Sequence, residues 1–97
     1  MTPAVAHRLS DRGIEVLGET KGFTLLGRGN CVALVERTAA GFGSIGGTGI
    51  MTAAGLAYLV WREGRACLAV KGGETAAAPE DVEAIRAFSE DLKFALG

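Results

Sequence analysis

Hydrophobic positions along the chain fall into short apolar runs, followed by one long stripe with helical spacing. The first runs, IEVLGE, FTLLGR and CVALVER, lie between residues 14 and 37 and favour strands. They are separated by Thr20-Lys21-Gly22 and by Gly27-Arg28-Gly29-Asn30, which contain residues that tolerate positive φ. This pattern predicts a three-stranded antiparallel meander.

A second pair of apolar runs follows further along the chain. The runs LAYLVW and ACLAVK flank the polar, glycine-containing tip Arg62-Glu63-Gly64-Arg65. Two apolar runs around such a tip predict a β-hairpin. We expect residues 74 to 78 to form a loop between this hairpin and the last element.

Helix signals lie at both ends of the chain. Thr2 can cap a helix that begins at Pro3, and Gly13 suits the position after its last turn. A longer helix begins at Pro79, and its apolar stripe comprises Val82, Ile85, Phe88, Ser89, Leu92 and Leu96. Phe94 lies off this stripe, which indicates either a second contact surface or a frayed last turn.

Together these elements predict a single α+β domain over residues 1 to 97. It has an antiparallel sheet of about five strands, a short N-terminal helix and a long C-terminal helix. A glycine-rich connection joins the three-stranded meander to the hairpin. The length fits one domain with its own core.

The stretch GFGSIGGTGIMTAAGLAYLVW, residues 41 to 61, contains no charged residue. A membrane span is disfavoured because glycine, serine and threonine fill its first half. A span would also leave two strand groups on opposite sides of a bilayer, each too small to fold alone. We favour a structural role, since glycine is needed where the backbone makes a close approach or a sharp turn.

Phosphate binding is the alternative for this segment. Residues 41 to 46 fit the G-x-G-x-x-G pattern, and residues 41 to 48 fit a Walker-type loop except that Gly47 replaces the lysine. A nest of backbone amides could still bind an anion without any side chain. The candidate ligand-binding residues are Gly41, Gly43, Ser44, Gly46, Gly47 and Thr48.

Residues with catalytic chemistry are few. Cys31 and Cys67 lie within apolar runs, where thiols are usually buried and inert, and their spacing with His7 fits no metal site. No nucleophile paired with a base and no complete cofactor loop is visible. We therefore expect no cofactor, no metal and a non-catalytic protein.

Charge and composition narrow the partner classes. A net charge of -1 provides no basic surface for nucleic acid, and the N-terminal residues do not resemble a secretory signal. We expect a cytoplasmic protein that binds neither nucleic acid nor membrane. The single asparagine and absent glutamine are typical of a thermophile, although a GC-rich genome gives a similar bias.

The apolar runs indicate how the domain functions. CVALV, LAYLVW and ACLAV are apolar at successive positions, so both faces of their sheet require cover, and the C-terminal helix can cover only one. We therefore predict a self-associating interaction or scaffold domain in which the second face or an edge strand pairs with another copy. A homodimer is favoured, and Trp61 and Phe94 are the candidate interface residues. The alternative function is a binder of a small anionic ligand, of phosphate or nucleotide type, through residues 41 to 49.

Overall fold

A computed structural model describes residues 2 to 97 as one antiparallel sheet with two helices. Helix α1 spans Pro3–Asp11 and helix α2 spans Pro79–Leu96. The strands are β1 (Glu15–Thr20), β2 (Phe23–Arg28), β3 (Cys31–Thr38), β4 (Gly41–Thr52), β5 (Gly55–Arg62), β6 (Arg65–Val70) and β7 (Gly73–Ala76). Each strand pairs with its neighbour in the chain, so the sheet order is β1-β2-β3-β4-β5-β6-β7.

The prediction of about five strands is therefore wrong, since the sheet has seven. The glycine-rich segment is the long strand β4 and not a connection. Glycine weakens strands through its backbone entropy, which is why the run favoured a loop, but pairing with β3 overrides this preference. The expected loop at residues 74 to 78 mostly forms β7, a short exposed edge strand whose sequence GETA carries no strong strand signal.

Both helices begin where their sequence signals lie. The Thr2 hydroxyl accepts a hydrogen bond from the Val5 amide at 3.2 Å, and Gly13 follows α1 with a φ of +69°. Helix α2 begins at Pro79, with two acidic residues in its first turn. The predicted short N-terminal and long C-terminal helices are confirmed.

The hydrophobic core lies between the helices and one face of the sheet. Helix α2 packs against β3 and β4, and α1 packs against α2. The largest fully buried side chains of this layer are Phe88, Ile85 and Leu92 from α2, with Leu26 and Val35 from the sheet. Burial of each contributes about 1.5 to 3 kcal/mol of transfer free energy.

Arginine side chains join the two helices to each other and to the sheet. The Arg28 guanidinium donates to Asp91 Oδ2 at 2.7 Å and to the Arg12 carbonyl oxygen at 3.1 Å. Arg8 Nε donates to the Ala95 carbonyl oxygen at 2.8 Å, which satisfies an acceptor in the last turn of α2. These contacts fix α1 and α2 as one layer over the sheet.

Cys31 gives this core a pH dependence. Burial raises the pKa of the Cys31 thiol above its ordinary 9.0, although Arg28 opposes the shift. The unfolded chain therefore loses this proton at a lower pH than the folded chain. The contribution of Cys31 to the free energy of unfolding is complete below about pH 9 and is lost as the pH rises through the pKa of the folded state.

Denaturant titrations from about pH 7 to 10 test this pH dependence. The free energy of unfolding should fall more steeply with pH for the wild type than for Cys31→Ala, and equal slopes would contradict the assignment.

Candidate interaction surface

The sheet face away from the helices carries a central patch of apolar side chains that neither helix covers. On β3 the side chains of Ala33 and Val35 enter the core, so those of Val32 and Leu34 lie on the other face. The cross-strand pairs identify the residues of β2, β5 and β6 whose side chains lie on the same face as Val32 and Leu34. We call this surface the open face: the half-buried Phe23, Leu25, Leu34, Leu56, Tyr58, Val60, Cys67 and Ala69, with Val32 fully buried among them. Within residues 2 to 97 neither helix packs across it, and the Leu17 side chain of β1 reaches its edge beside Gly27.

A wide recess of about 510 Å³ lies at the centre of the open face. Phe23 and Leu34 line one side, and Tyr58 and Val60 line the other. The floor is the backbone of residues 46 to 48 in β4. The lining carries no charged side chain, so the recess favours contact with apolar groups.

The glycines of β4 permit this shape. A Cβ at Gly47 would lie 2.5 Å from Cε1 of Tyr58, and one at Gly46 would lie 3.5 Å from Cε1 of Phe23. Both aromatic rings therefore lie over strand positions that carry no side chain. A larger residue at position 47 would displace the Tyr58 ring and reshape the recess.

Strand β4 is irregular along the part that contains most of these glycines. Its register with β3 shifts between Gly47↔Leu34 and Ile45↔Val35, and again before Phe42↔Arg37. Each shift leaves one extra residue in β4, which is the geometry of a β-bulge. Bulges bend a strand and increase its twist, so β4 departs from the course of its neighbours.

Gly49 is the point at which β4 leaves β5. A regular strand directs Cβ out of the sheet, but a Cβ at Gly49 would collide with the Ala57 carbonyl oxygen and lie 2.9 Å from Cα of Tyr58. The backbone is therefore rotated here towards β5. The β4–β5 pairing runs only from Thr52↔Gly55 to Gly49↔Tyr58. Only glycine fits this junction without moving β5.

Beyond Gly49 the two strands form what we call the β4–β5 gap. On one side of the gap, residues 41 to 48 of β4 pair with β3 and not with β5. On the other side, residues 59 to 62 of β5 pair with β6 and not with β4. Thr48 and Leu59, which would form the next pair, line both the open-face recess and a second recess of about 220 Å³ under α2. The β4–β5 ladder thus ends at the centre of the sheet, where the Tyr58 ring of β5 reaches over Gly47 of β4.

The six predicted ligand-binding residues all lie in β4, between Gly41 and Thr48. An extended strand directs successive amides to opposite edges, whereas a phosphate nest needs consecutive amides that converge. Residues of this segment also pair with β3, so its backbone forms part of the sheet. Phosphate binding gains no support from this geometry and stays a prediction.

The two predicted interface residues are exposed but lie on different flanks of α2. Trp61, 56% exposed, lines the smaller recess beside Arg86 and Lys93 of the helix. Phe94 is 62% exposed, and the Arg12 guanidinium lies over its ring at 4.0 Å. The fold does not bring these two aromatic residues into one patch.

Groups with catalytic chemistry are dispersed. His7 faces Asp11 at 3.3 Å on the exposed side of α1, and the thiols of Cys31 and Cys67 are free. Residues 2 to 97 contain no group of three or more histidine, cysteine, aspartate or glutamate side chains that could hold a metal ion.

Sequence reasoning missed Leu25, Leu34, Tyr58 and Val60 as candidate site residues. Their apolar runs showed that both faces of each strand require cover, but not which side chains lie on which face. The signal that assigns them is strand register, because a shift of one residue exchanges the two faces. Bulges in β4 prevent that register from being counted along the chain.

Neither helix is long and apolar enough to cross a membrane within residues 2 to 97. Comparison of the chain with protein-family models, with curated proteins and with solved structures gave no match.

Proposed function

We propose that this protein is a non-catalytic interaction domain that associates with a second copy through the open face. The observation that carries the proposal is a sheet whose two faces are both apolar while the helices cover one. An uncovered apolar surface of this extent is typical of a protein contact. A two-fold dimer would bury the same residues on both copies.

The area of the open face supports a second copy as the occupant. The open face spans strands β2 to β6, and five strands about 4.8 Å apart and about 20 Å long cover a projected area of roughly 500 Å². Side chains standing on the sheet raise the accessible area above that projection. A stable dimer of standard size buries about 800 Å² on each partner, so this face is close to sufficient.

The total surface of the chain supports the same conclusion. Its accessible surface is 5896 Å², whereas a compact monomer of this mass exposes about 5200 Å². The chain therefore exposes roughly 700 Å² more surface than is expected for a compact monomer of its mass. This excess is similar to the area that one partner buries in a standard interface.

We place this dimer in the cytoplasm. The two cysteines are free thiols, and Cys67 lies on the open face, where it is half-buried. Free cysteines suit a reducing compartment. Dimerisation through the open face would enclose Cys67 further.

The oligomeric state tests the proposal. Light scattering coupled to size exclusion, at roughly 10 to 100 μM protein to suit a moderate interface, should give twice the 10.0 kDa chain mass. Iodoacetamide should label Cys67 more slowly at about 100 μM than after dilution to about 1 μM, because dilution shifts the dimer to monomer. A mass of one chain at every concentration, with unchanged labelling, would exclude the dimer.

A further inference from the structure

We propose that the β4–β5 gap binds an extended, uncharged peptide segment, which inserts between the two strands as an additional strand of the sheet. This proposal concerns a different partner from the second copy and does not rest on self-association. The open face is a side-chain surface, whereas the gap is bounded by the backbone edges of two strands. An edge of this kind recognises another extended backbone.

The first observation is the pairing of the strands beside the gap. Residues 41 to 48 of β4 pair on the β3 side, and residues 59 to 62 of β5 pair on the β6 side. Their facing edges have no register with each other, because the β4–β5 ladder stops at Gly49↔Tyr58. Each edge therefore presents amide and carbonyl groups to the gap, and an inserted strand could pair with both.

The second observation is a recess on each side of the gap. The open-face recess of about 510 Å³ and the recess of about 220 Å³ under α2 share Thr48 and Leu59. Side chains of a strand alternate between the two faces of its sheet. A peptide in the gap would therefore place every second side chain in one recess and the intervening side chains in the other.

The third observation is the charge balance around the gap. Residues 41 to 61 contain no charged side chain. Arg62 is paired with Glu74 at 2.8 Å, and Arg86 with Glu83 at 3.3 Å. The two further charged residues at the rim under α2, Glu90 and Lys93, have opposite signs. These walls provide no net charge to offset that of a ligand, so they complement an uncharged peptide.

The two recesses differ in polarity, which defines the peptide further. The open-face recess is lined mainly by apolar side chains such as Phe23 and Val60. The recess under α2 combines an apolar floor with the Ser89 hydroxyl and a charged rim. A segment that alternates valine or similar residues with threonine or serine matches both recesses. Such a segment also has high strand propensity, so little conformational preference opposes its extension.

The gap cannot close on itself while Gly49 and the bulges hold β4 in its present course. Closure would require Thr48 to pair with Leu59, and thus a change in the β4 backbone at the junction and along the bulged segment. An inserted strand satisfies the same edges without that change. The unpaired edges beyond the end of the β4–β5 ladder are therefore suited to a partner strand.

The test uses an acetylated and amidated hexapeptide of alternating threonine and valine. It is titrated into isotope-labelled protein and followed by amide chemical shifts, both for the wild type and for Leu25→Arg, which is designed to be monomeric. We expect shift changes in residues 41 to 48 and 59 to 62, and slower hydrogen exchange of alternate amides there. Changes confined to the outer edges β1 and β7, or no change at millimolar peptide, would overturn the proposal.

Two controls separate strand insertion from non-specific apolar contact. The same hexapeptide with alternate nitrogens methylated keeps its side chains but loses half of its backbone donors. Its affinity should fall at least tenfold, and equal affinity would overturn insertion. Ser89→Phe, which fills the recess under α2, should weaken binding at least tenfold. Ala87→Phe, on the exposed side of the same helix, should leave it unchanged.

Peptide binding and self-association can fail separately. A monomer that binds the hexapeptide at residues 41 to 48 and 59 to 62 supports the gap and excludes the dimer. A dimeric wild type, with no such shift changes in either the wild type or Leu25→Arg, excludes the gap and leaves the open face as the interface. If Leu25→Arg binds the peptide more tightly than the wild type, the second copy and the peptide compete for the open-face recess.

Discussion

Gly49→Ala is expected to lower the free energy of unfolding by about 3 kcal/mol, because the added methyl group overlaps backbone atoms and not a flexible side chain. The Ala57 carbonyl belongs to β5, so relief of the overlap requires one of two paired strands to move. Chemical denaturation monitored by circular dichroism measures the change. Loss of the β4–β5 contact would also expose Ala57, which is fully buried in the core.

Gly18→Ala provides the matched control for this prediction. Gly18 lies in β1, has no positive φ, and has no neighbouring atom within 4 Å of the position that a Cβ would occupy. The substitution should therefore change stability by no more than about 0.5 kcal/mol. If Gly49→Ala proved as mild as Gly18→Ala, the close approach of β4 to β5 at this junction would be wrong.

Leu34→Arg is expected to convert the proposed dimer to monomers. Leu34 is half-buried at the centre of the open face, beside its cross-strand partner Leu25. In a two-fold interface the substitution introduces two guanidinium groups into an apolar contact. The dimer dissociation constant should rise at least 100-fold, which corresponds to about 2.7 kcal/mol. Sedimentation velocity measures this constant directly.

Variants on the helix layer control for a general effect of charge. Trp61→Arg and Phe94→Arg place the same group on exposed aromatic positions away from the open face. If the open face is the interface, these two variants stay dimeric while Leu34→Arg and Leu25→Arg become monomeric. The reverse result would move the interface to the helix side of the sheet, around Trp61 and Phe94.

The helices could be predicted from the sequence because their signals are local. Thr2 caps an amide three residues away, and Gly13 and Pro79 act through their own backbone preferences. None of these effects depends on distant residues. The number of strands could not be predicted in this way, since β4 is a strand only through its pairing with β3 and β5.

The candidate site depends on contacts that are not local. Successive apolar residues from Cys31 to Val35 indicated cover on both faces, but the helices determine which face stays open. The role of Gly49 depends on Ala57 and Tyr58 in the next strand. The sequence alone does not distinguish Gly49, whose Cβ position is occupied by atoms of β5, from Gly18, whose Cβ position has open space around it.

The arginine contacts that join the helices have a consequence for the topology of the chain. Arg8 near one end reaches the backbone of Ala95 near the other, so the two ends are neighbours on the side opposite the open face. A short glycine-serine linker could join them, and new termini could be cut at the turn between β5 and β6, around Glu63 and Gly64. Such a circular permutant would keep every strand intact, and fluorescent tags attached beside α1 and α2 would point away from a partner on the open face.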